Sequence, residues 1–257
     1  MKLFDINSFS LKDKVAIITG GASGLGKYYS RAMMAVGAKV MVVARTDKGV
    51  ADLQKFASEN NTEMYFFKQD VTAKDAPELI TKEALEHFGH IDILVNNAGM
   101  QLRNKWQDFK DEDWRKVINL NLNSVYYLSH AVAKEMAKQK SGKIINIGSM
   151  QSFRAGKFIF PYTASKHGVV GLTKAYADAL APYNIQVNAI APGYINTPMT
   201  KALQEDPVRS KEILEHIPAG HWADPSELMG VAVFLASHAS DYVTGVTLPV
   251  DGGYLLR

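Results

Sequence analysis

A tyrosine and a lysine stand four residues apart in the segment PYTASKHG, at Tyr162 and Lys166. Four residues make about one turn of an α-helix, so both side chains would project from the same helical face. A phenol beside an ammonium group is suited to proton exchange, because the positive charge favours the phenolate. The same spacing also fits an ordinary amphipathic helix that begins near Pro161, with a packed tyrosine and a solvated lysine. The pair alone leaves both interpretations open.

A second chemical motif, TGGASGLG, occupies residues 19–26, between an apolar run and a segment with helical periodicity. Gly20, Gly24 and Gly26 allow a tight turn and a close approach of the backbone to a pyrophosphate, which the N-terminus of the next helix favours. A glycine-rich turn that binds nothing is the structural alternative. The motif lacks the Lys-Ser/Thr ending of a P-loop, which disfavours triphosphate hydrolysis. We therefore expect a nucleotide phosphate here.

The elements that must position these motifs are seven short apolar runs, which alternate with longer segments of helical period. They read KVAIIT, KVMVVA, MYFFKQDV, DILVNNAG, KIINIGS, IQVNAIAPG and VTLPVDGG. Runs rich in valine and isoleucine are typical of strands buried on both faces of a parallel sheet. The pattern predicts an α/β fold: a single-domain, doubly wound, parallel seven-stranded sheet with helices on both faces, Rossmann-like, over residues 1–257.

One long interruption, residues 194–224, contains small helical segments and turns between two of the strands. Insertions of this kind beside the carboxyl ends of strands commonly cover a ligand. We expect this segment to form a substrate lid.

The composition excludes several classes of function. The chain has 29 Lys and Arg against 26 Asp and Glu, and a net charge of +3 is too small to indicate nucleic-acid or membrane-surface binding. No apolar segment approaches the length of a membrane span or of a signal-peptide core. The absence of cysteine excludes disulfides and thiolate chemistry, and the seven histidines fit no metal-ligand pattern. We expect a cytoplasmic protein with no metal and no nucleic-acid or membrane partner.

Six motifs follow one another in a characteristic order. They are T-G-x-x-x-G-x-G at 19–26, NNAG at 96–99, NLN at 119–121, IGS ending at 149, Y-x-x-x-K at 162–166 and APG at 191–193. Together they resemble the motif set of the short-chain dehydrogenase/reductases along the whole chain. The resemblance implies an oxidoreductase that uses a nicotinamide dinucleotide to interconvert an alcohol and a carbonyl group.

The resemblance implies catalytic roles for Asn121, Ser149, Tyr162 and Lys166. Tyr162 would exchange a proton with the substrate oxygen, which Ser149 would bind. Lys166 would contact the nicotinamide ribose, and Asn121 would belong to a water-linked proton path. Because a free phenol titrates near 10, we expect Lys166 and the oxidised nicotinamide to lower the pKa of Tyr162.

The resemblance also implies cofactor contacts at the carboxyl ends of the strands. The set is Gly20, Ser23, Gly24, Leu25, Gly26, Arg45, Asp70, Val71, Asn97, Ala98, Gly99, Tyr162, Lys166, Pro192, Gly193, Ile195 and Thr197. Strand-end packing and turn formation are the alternative roles for Asp70, Val71 and the 97–99 segment.

The choice between NADP and NAD depends on the end of the second apolar run. Ala44 stands where NAD-selective members of the family carry an acidic residue, and Arg45 follows it. A missing carboxylate and a guanidinium both suit a 2′-phosphate, which favours NADP(H). Two observations leave NAD open: an arginine here can also stack on adenine, and Ser23 occupies a position where phosphate-selective members often have a second basic residue.

Other segments, including IINIGSMQSF and IPAGHWADPSELMG, resemble the sugar-acid dehydrogenase branch of the family. The resemblance implies a small keto-sugar acid as the substrate. Arg103 and Arg154 follow the fourth and fifth predicted strands, so both are expected at the edge of the sheet where a guanidinium could bind a carboxylate. We expect substrate contacts from Arg103, Ser149, Arg154 and Tyr162; a solvated position is the alternative for either arginine.

Two other functions are compatible with the same motifs or the same fold, and the resemblance also implies an oligomer. A 3-oxoacyl thioester reductase, or another ketone reductase, shares every catalytic motif. A regulator that binds a dinucleotide without turnover would share the fold. Segments near 114–140 and 162–181 resemble the helices that pair subunits in this family, which implies a homotetramer or a homodimer.

Overall fold

Each of the seven apolar runs contains a β-strand in the computed structural model, which describes residues 5–257. The strands are β1 Val15–Thr19, β2 Lys39–Ala44, β3 Met64–Lys68, β4 Ile93–Asn96, β5 Gly142–Ile147, β6 Ile185–Pro192 and β7 Thr247–Val250. The helices are α1 Gly24–Ala35, α2 Val50–Glu59, α3 Ala76–Phe88, α4 Asp111–Ile118, α5 Ser124–Gln139, α6 Phe160–Leu180, α7 Lys201–Gln204, α8 Pro207–His216 and α9 Met229–Ala236.

The strands form one parallel sheet in the order β3-β2-β1-β4-β5-β6-β7. β1 pairs with β2 on one side and with β4 on the other, so the winding direction of the chain reverses between β1 and β4. In open α/β sheets ligands bind in the crevice at the carboxyl ends of the strands where this reversal occurs. The expected doubly wound parallel sheet is confirmed.

Side chains of β1 alternate between two cores, one on each face of the sheet. Ala16 and Ile18 belong to a core shared with α1, α2 and α9. Ile17 belongs to a second core shared with α3, α5 and α6. All five residues of β1 are buried, as a strand covered by helices on both faces requires. No helix in the described part of the chain is long and apolar enough to cross a bilayer.

Buried polar side chains connect the sheet to the helices that carry the candidate site. Asn96 Nδ2 donates hydrogen bonds of 2.9 Å to Ser129 Oγ and to Asn146 Oδ1. Asn146 Nδ2 donates to Thr173 Oγ1 at 3.0 Å. These bonds join β4 and β5 to α5 and α6. Because a buried polar group without a partner is costly, they restrict how the helices can shift on the sheet.

The segment 194–224 folds over the carboxyl end of the sheet and contains α7 and α8. An isolated bridge joins Ile195 to Ala223 near its two ends. Ile213 and Ile217, in α8 and directly after it, pack with Met150, which follows β5, and with Tyr254 near the C-terminus. The segment therefore covers this end of the sheet, and its function as a substrate lid stays a prediction. The expected single domain over residues 1–257 also stays a prediction, and residues 1–4 lie outside the described residues.

Candidate active site

A cleft of about 350 Å³ opens at the carboxyl ends of β1, β4, β5 and β6. Its walls come from the turns that follow these strands and from the segment 194–224. The cleft therefore occupies the crevice that the reversal of the winding creates. Residues of the glycine-rich turn and the pair Tyr162 and Lys166 all line it.

The glycine-rich turn has the backbone conformations that its composition predicts. Gly20 and Gly24 have φ angles of +64° and +50°, in the left-handed region that other residues rarely adopt. A Cβ atom on Gly26 would lie 2.2 Å from the carbonyl oxygen of Gly20. Gly26 therefore allows the first turn of α1 to lie directly against the end of β1.

The ends of β1 and β4 are joined by a set of short hydrogen bonds. The hydroxyl of Thr19 accepts from the backbone N–H groups of Asn97 and Ala98, both at 3.0 Å. Asn97 Nδ2 donates to the carbonyl of Thr19 at 2.9 Å. The side chain of Asn97 thus holds the loop after β4 against the end of β1, where the glycine-rich turn begins.

Ser149 begins a short helical turn, Met150–Ser152, that is attached to α6. The Ser149 hydroxyl accepts from the backbone N–H of Gln151 at 3.1 Å, and its own N–H donates to Ser152 Oγ at 3.2 Å. Ser152 Oγ then donates to the backbone carbonyl of Lys166 at 2.8 Å. The position of Ser149 is therefore fixed relative to the residues of α6.

Tyr162 and Lys166 share one face of α6, as their spacing predicts, and both line the cleft. Their exposed fractions are only 9% and 5%. Lys166 Nζ lies 5.6 Å from the centroid of the Tyr162 ring and donates to the carbonyl of Ile147 at 2.6 Å. A phenol, an ammonium and a serine hydroxyl thus meet on one wall of the cleft.

Two arginines face the cleft, and only one of them was expected there from the sequence. Arg103 lines the cleft and donates to the carbonyl of Lys157 at 3.1 Å. Arg209 of α8 also lines it and forms an ion pair with Glu212. Partial burial lowers the pKa of Arg103; Tyr194 opposes this shift, and the positive charge of Arg209 adds to it.

Comparison with known families now decides the class of the protein. The model of the short chain dehydrogenase family matches residues 14–208, more than half of the chain. The chain belongs to the short-chain dehydrogenase family.

Similar proteins are found among curated relatives and among solved structures. The chain is 45% identical over 253 residues to the 2-dehydro-3-deoxy-D-gluconate 5-dehydrogenase of Bacillus subtilis, with 98% of both chains covered. It is 42% identical over 257 residues to the 5-keto-D-gluconate 5-reductase of Escherichia coli K12, covering 96% of this chain and 98% of the relative. A gluconate 5-dehydrogenase of Burkholderia cenocepacia in complex with NADP and tartrate has a TM-score of 0.93 at 38% identity, with 98% of both chains covered.

Most of the cofactor contacts expected for a short-chain dehydrogenase line this cleft. They are Gly20, Ser23, Gly24, Leu25, Asn97, Ala98, Gly99, Tyr162, Lys166, Pro192, Gly193, Ile195 and Thr197. Gly26 lies behind the wall, where it supports the close approach of α1.

Three other expected cofactor residues lie outside the lining. Val71 packs against the core that contains α3. Asp70 accepts from the N–H and the hydroxyl of Thr72 at 2.9 and 2.7 Å, a local turn at the end of β3. Burial raises the pKa of Asp70, but the bonds from Thr72 and the charge of Arg45 outweigh this and lower it. Arg45 is exposed at the end of β2. The cofactor contacts expected of these three residues stay predictions.

The side chain of Asn121 is used within the protein. It lies in a π-helical turn, Asn119–Asn123, between α4 and α5 and is completely buried. Its Oδ1 accepts from the N–H of Met100 and its Nδ2 donates to the carbonyl of Met100, both at 2.9 Å. Nδ2 also lies 3.2 Å from Ser165 Oγ. Asn121 therefore positions the loop after β4 and does not line the cleft; its part in a proton path stays a prediction.

Arg154 does not line the cleft, contrary to the expected substrate role. Its guanidinium lies over the ring of Tyr254 at 5.0 Å from the centroid, and the side chain is exposed. This cation–π contact turns the charge toward the C-terminal turn. Tyr254 is 100 residues away in sequence, so the position of Arg154 after β5 carried no signal for the contact.

Several residues that line the cleft were not expected from the sequence. They are Gln101, Gln151, Lys157, Tyr194, Met199, Leu203 and Arg209, among others. Gln151 stands two residues after Ser149, and that proximity was an available signal. Arg209 lies in the segment 194–224 that was expected to cover the ligand, but its own pattern, an arginine three residues before a glutamate on a short helix, is that of a solvated surface.

The pKa shifts in the cleft differ from the expected direction at Tyr162. Burial raises the pKa of Tyr162, and hydrogen bonding with Ser149 opposes the rise only in part. Burial also lowers the pKa of Lys166 to about 8. The expected lowering of the Tyr162 pKa by Lys166 is therefore not found in the protein alone, because loss of water around both groups outweighs their attraction.

In the part of the chain that the structure describes, no three metal-ligating side chains converge on one point. The polar side chains that line the cleft supply hydroxyl, phenol, amide, ammonium and guanidinium groups.

The burial of Lys166 predicts a specific pH dependence of stability. Its pKa is about 8 in the folded protein, against 10.5 for an unperturbed lysine, so the unfolded chain binds more protons between these values. The contribution of Lys166 to the free energy of unfolding should therefore rise with pH across this window, by about 1–2 kcal/mol between pH 7.5 and 9.5. Urea unfolding at several pH values should show that Lys166→Met loses this rise relative to the parent protein.

Lys174→Met is the matched control, because it removes an exposed ammonium from the same helix. Its pH profile should follow that of the parent protein. A Lys166→Met profile parallel to the parent profile would contradict the burial of a titrating amine.

Proposed function

We propose that the protein is an NAD(P)-dependent oxidoreductase that interconverts a keto-sugar acid and its hydroxy form, similar to 2-dehydro-3-deoxy-D-gluconate 5-dehydrogenase. The observation that carries the proposal is a shared cleft. Ser149, Tyr162 and Lys166 lie in the same cleft as the glycine-rich turn and two arginines. Such a cleft can bind a dinucleotide, exchange a proton and hold an acidic substrate.

The fit of a dinucleotide rests on the glycine-rich turn. Its backbone approaches the cleft with no side chain at Gly20 or Gly24, and Gly26 brings the N-terminus of α1 close. Backbone N–H groups and the helix dipole at that N-terminus favour a pyrophosphate. The loop after β4 at 97–99 and the segment 192–197 would bound the rest of the molecule. When bound, the nicotinamide supplies or accepts the hydride.

The proton would be exchanged at the phenol oxygen of Tyr162. Burial keeps this phenol protonated, which suits a general acid that donates to a carbonyl oxygen in the reductive direction. The Ser149 hydroxyl would hold the substrate oxygen, because it is fixed on the same wall of the cleft. The Lys166 amine lies 5.6 Å from the ring centroid. In its protonated form it would stabilise the phenolate that remains after Tyr162 has donated its proton.

The preference for NADP(H) is proposed from the end of β2. Ala44 places no carboxylate there, and the exposed Arg45 offers a guanidinium to a 2′-phosphate. The structural relative from Burkholderia cenocepacia, which was crystallised with NADP, supports this preference.

The acidic character of the substrate is proposed from Arg103 and Arg209. One guanidinium follows β4 and the other projects from α8, so a carboxylate between them would be approached from two elements. A carboxylate would also offset the loss of water that lowers the pKa of Arg103, and the smaller repulsion from Arg209. A fatty-acyl chain has no carboxylate at this place to pair with the two cations. An acyl thioester reductase is therefore the second candidate and not the first. A non-catalytic dinucleotide-binding regulator is less favoured, because it would not require Ser149, Tyr162 and Lys166 in one cleft.

We also propose a homo-oligomer in the cytoplasm. Tyr126 and Tyr127 of α5 are 41% and 55% exposed, and Tyr126 stacks on His130 with centroids 5.9 Å apart. An exposed aromatic face on the long helices α5 and α6 supports pairing with a second copy.

The first test of this function removes the phenol oxygen. Tyr162→Phe keeps the ring but leaves no proton to exchange, so turnover of 5-keto-D-gluconate should fall by a factor of at least about 10² to 10⁴. Nicotinamide fluorescence titration should show that the dinucleotide still binds. Tyr183→Phe, which removes an exposed phenol beyond the end of α6, is the control. A Tyr162→Phe enzyme with near-normal turnover would exclude the mechanism.

A second test concerns the cofactor. If Arg45 pairs with the 2′-phosphate, Arg45→Ala should weaken NADP(H) binding by about 1.5–3 kcal/mol and NAD(H) binding much less. Calorimetric titration with both cofactors measures the difference, and NAD(H) serves as the internal control. Equal losses would instead indicate stacking of Arg45 on adenine.

A third test concerns the carboxylate. Arg103→Ala and Arg209→Ala should each lower kcat/KM for 5-keto-D-gluconate about ten- to hundredfold, the range for a charged hydrogen bond. The loss should be much smaller for the corresponding neutral amide. Arg154→Ala, whose guanidinium lies on Tyr254, and Lys211→Ala on the outer face of α8 should leave both substrates unaffected.

Steady-state kinetics with this substrate pair separates the interpretations. Equal losses for the acid and the amide would remove the arginines from carboxylate binding. Faster turnover of acyl thioesters by the unmodified enzyme would favour the second candidate.

A further inference from the structure

Gln151 carries a buried amide that the protein itself leaves unpaired. The residue is 7% exposed, and its Oε1 is enclosed without a hydrogen-bond partner among residues 5–257. Two other glutamine amides show the usual arrangement. Gln186, 9% exposed, donates to Asn184 Oδ1 at 3.3 Å, and Gln139 bonds to both backbone groups of Ile91. A buried amide oxygen with no partner is unfavourable, and a ligand or an ordered water that bonds to it would remove this cost.

The amide is held in the cleft at a fixed place relative to the reacting groups. Gln151 lines the cleft, and its backbone N–H bonds to the Ser149 hydroxyl. The next residue, Ser152, bonds to the backbone of Lys166. Gln151 is therefore attached through its own short turn to both the candidate oxygen-binding serine and the helix of the candidate proton donor.

Neighbouring groups restrict the direction in which the side chain can move. A Cβ atom built on Gly156 would lie 3.1 Å from Gln151 Oε1 and 2.2 Å from Ile159 Cδ1. The amide thus lies against the backbone of Gly156 and beside an apolar side chain. A side chain larger than glycine at 156 would collide there, so the close approach depends on Gly156.

The chemistry of an amide selects the ligand group. Its oxygen accepts and its NH₂ donates, and a hydroxyl group can satisfy both functions. The carboxylate of the substrate has charged partners in Arg103 and Arg209, and its oxygens would repel Oε1. An apolar acyl chain would leave the amide unpaired. The reacting carbonyl would lie at Ser149 and Tyr162, and Gln151 stands two residues after Ser149 in the same turn. A hydroxyl on a carbon next to that carbonyl would therefore be the substrate hydroxyl nearest to this amide.

We propose that Gln151 is a specificity-determining residue that hydrogen-bonds a substrate hydroxyl on the carbon adjacent to the reacting carbonyl. This inference rests on the proposed keto-sugar acid activity and deepens it. A site built to pair with a hydroxyl discriminates strongly against an analogue that lacks it, because the amide is then buried unpaired in the complex. Gln151 therefore selects keto acids that carry a hydroxyl next to the reacting carbonyl over ketones that lack it.

The test compares substrates that differ by one hydroxyl. 5-Keto-D-gluconate carries hydroxyls on both neighbours of its C5 carbonyl, and its 4-deoxy and 6-deoxy analogues each lack one. The unmodified enzyme should prefer the parent acid over one of the two analogues by at least about tenfold in kcat/KM. Gln151→Met, which keeps the length of the side chain, should lower kcat/KM for the parent acid about ten- to hundredfold and nearly abolish that preference.

The thermal unfolding midpoint distinguishes a substrate-binding role of Gln151 from a structural one, because loss of a structural amide would lower it. Replacing an unpaired buried amide by an apolar side chain of similar length should leave the thermal unfolding midpoint unchanged or raise it. Gln186→Met is the matched control, because that buried amide has a partner and lies near the amino end of β6, whereas the cleft lies at the carboxyl ends of the strands. It should lower the midpoint or leave it unchanged and should not affect substrate preference. Dinucleotide affinity should be the same in all three proteins.

The outcomes distinguish this inference from the proposed function. An active enzyme in which Gln151→Met keeps the full preference for the parent acid overturns the role of Gln151, and an amide paired only by water gives that result. A marked fall in the unfolding midpoint of Gln151→Met also overturns it, since the amide would then be structural. If the unmodified enzyme reduces no keto-sugar acid, the proposed function fails and the polyol ligand fails with it.

Discussion

The attachment of α6 to β5 is the interaction on which the candidate site depends. Ser149 follows the strand, whereas Tyr162 and Lys166 belong to the helix, so any shift between the two elements would separate the groups. Lys166 Nζ donates to the carbonyl of Ile147 at 2.6 Å, and its own carbonyl accepts from Ser152 Oγ at 2.8 Å. These bonds are buried, where their loss would leave unpaired polar groups, and they hold the site rigid before any ligand arrives.

The fold was largely predictable because its determinants are local in sequence. Buried parallel strands need continuous apolar runs, and a close contact between α1 and β1 needs glycine at position 26, where any Cβ would meet the Gly20 carbonyl at 2.2 Å. The spacing of Tyr162 and Lys166 likewise follows from the pitch of one helix. Features of this kind can be seen without knowing which segments are neighbours in space.

The remainder of the site depends on contacts between distant segments. The Arg154 guanidinium lies over the ring of Tyr254 and not in the cleft. Arg209 lines the cleft because its helix, α8, packs against Met150 and Tyr254. The direction of the Tyr162 pKa also differs from expectation, since the degree of burial is a tertiary quantity. None of these outcomes is encoded in the spacing of a motif.

The charges in the cleft are divided in a way that suits one reaction. At the wall formed by α6, burial keeps the phenol neutral and brings the pKa of Lys166 to about 8, so the amine can change its protonation near neutral pH. On the other side, Arg103 and Arg209 supply two guanidinium groups. Between them Gln151 contributes an uncharged amide with an unpaired oxygen. Arg103, Arg209 and Lys166 each bond to a protein group, whereas Gln151 Oε1 is buried without a partner among the described residues. A ligand with an acidic end, hydroxyls and a carbonyl would offer a bonding partner to all of these groups at once, and a ligand without the hydroxyl would leave the Gln151 amide unpaired.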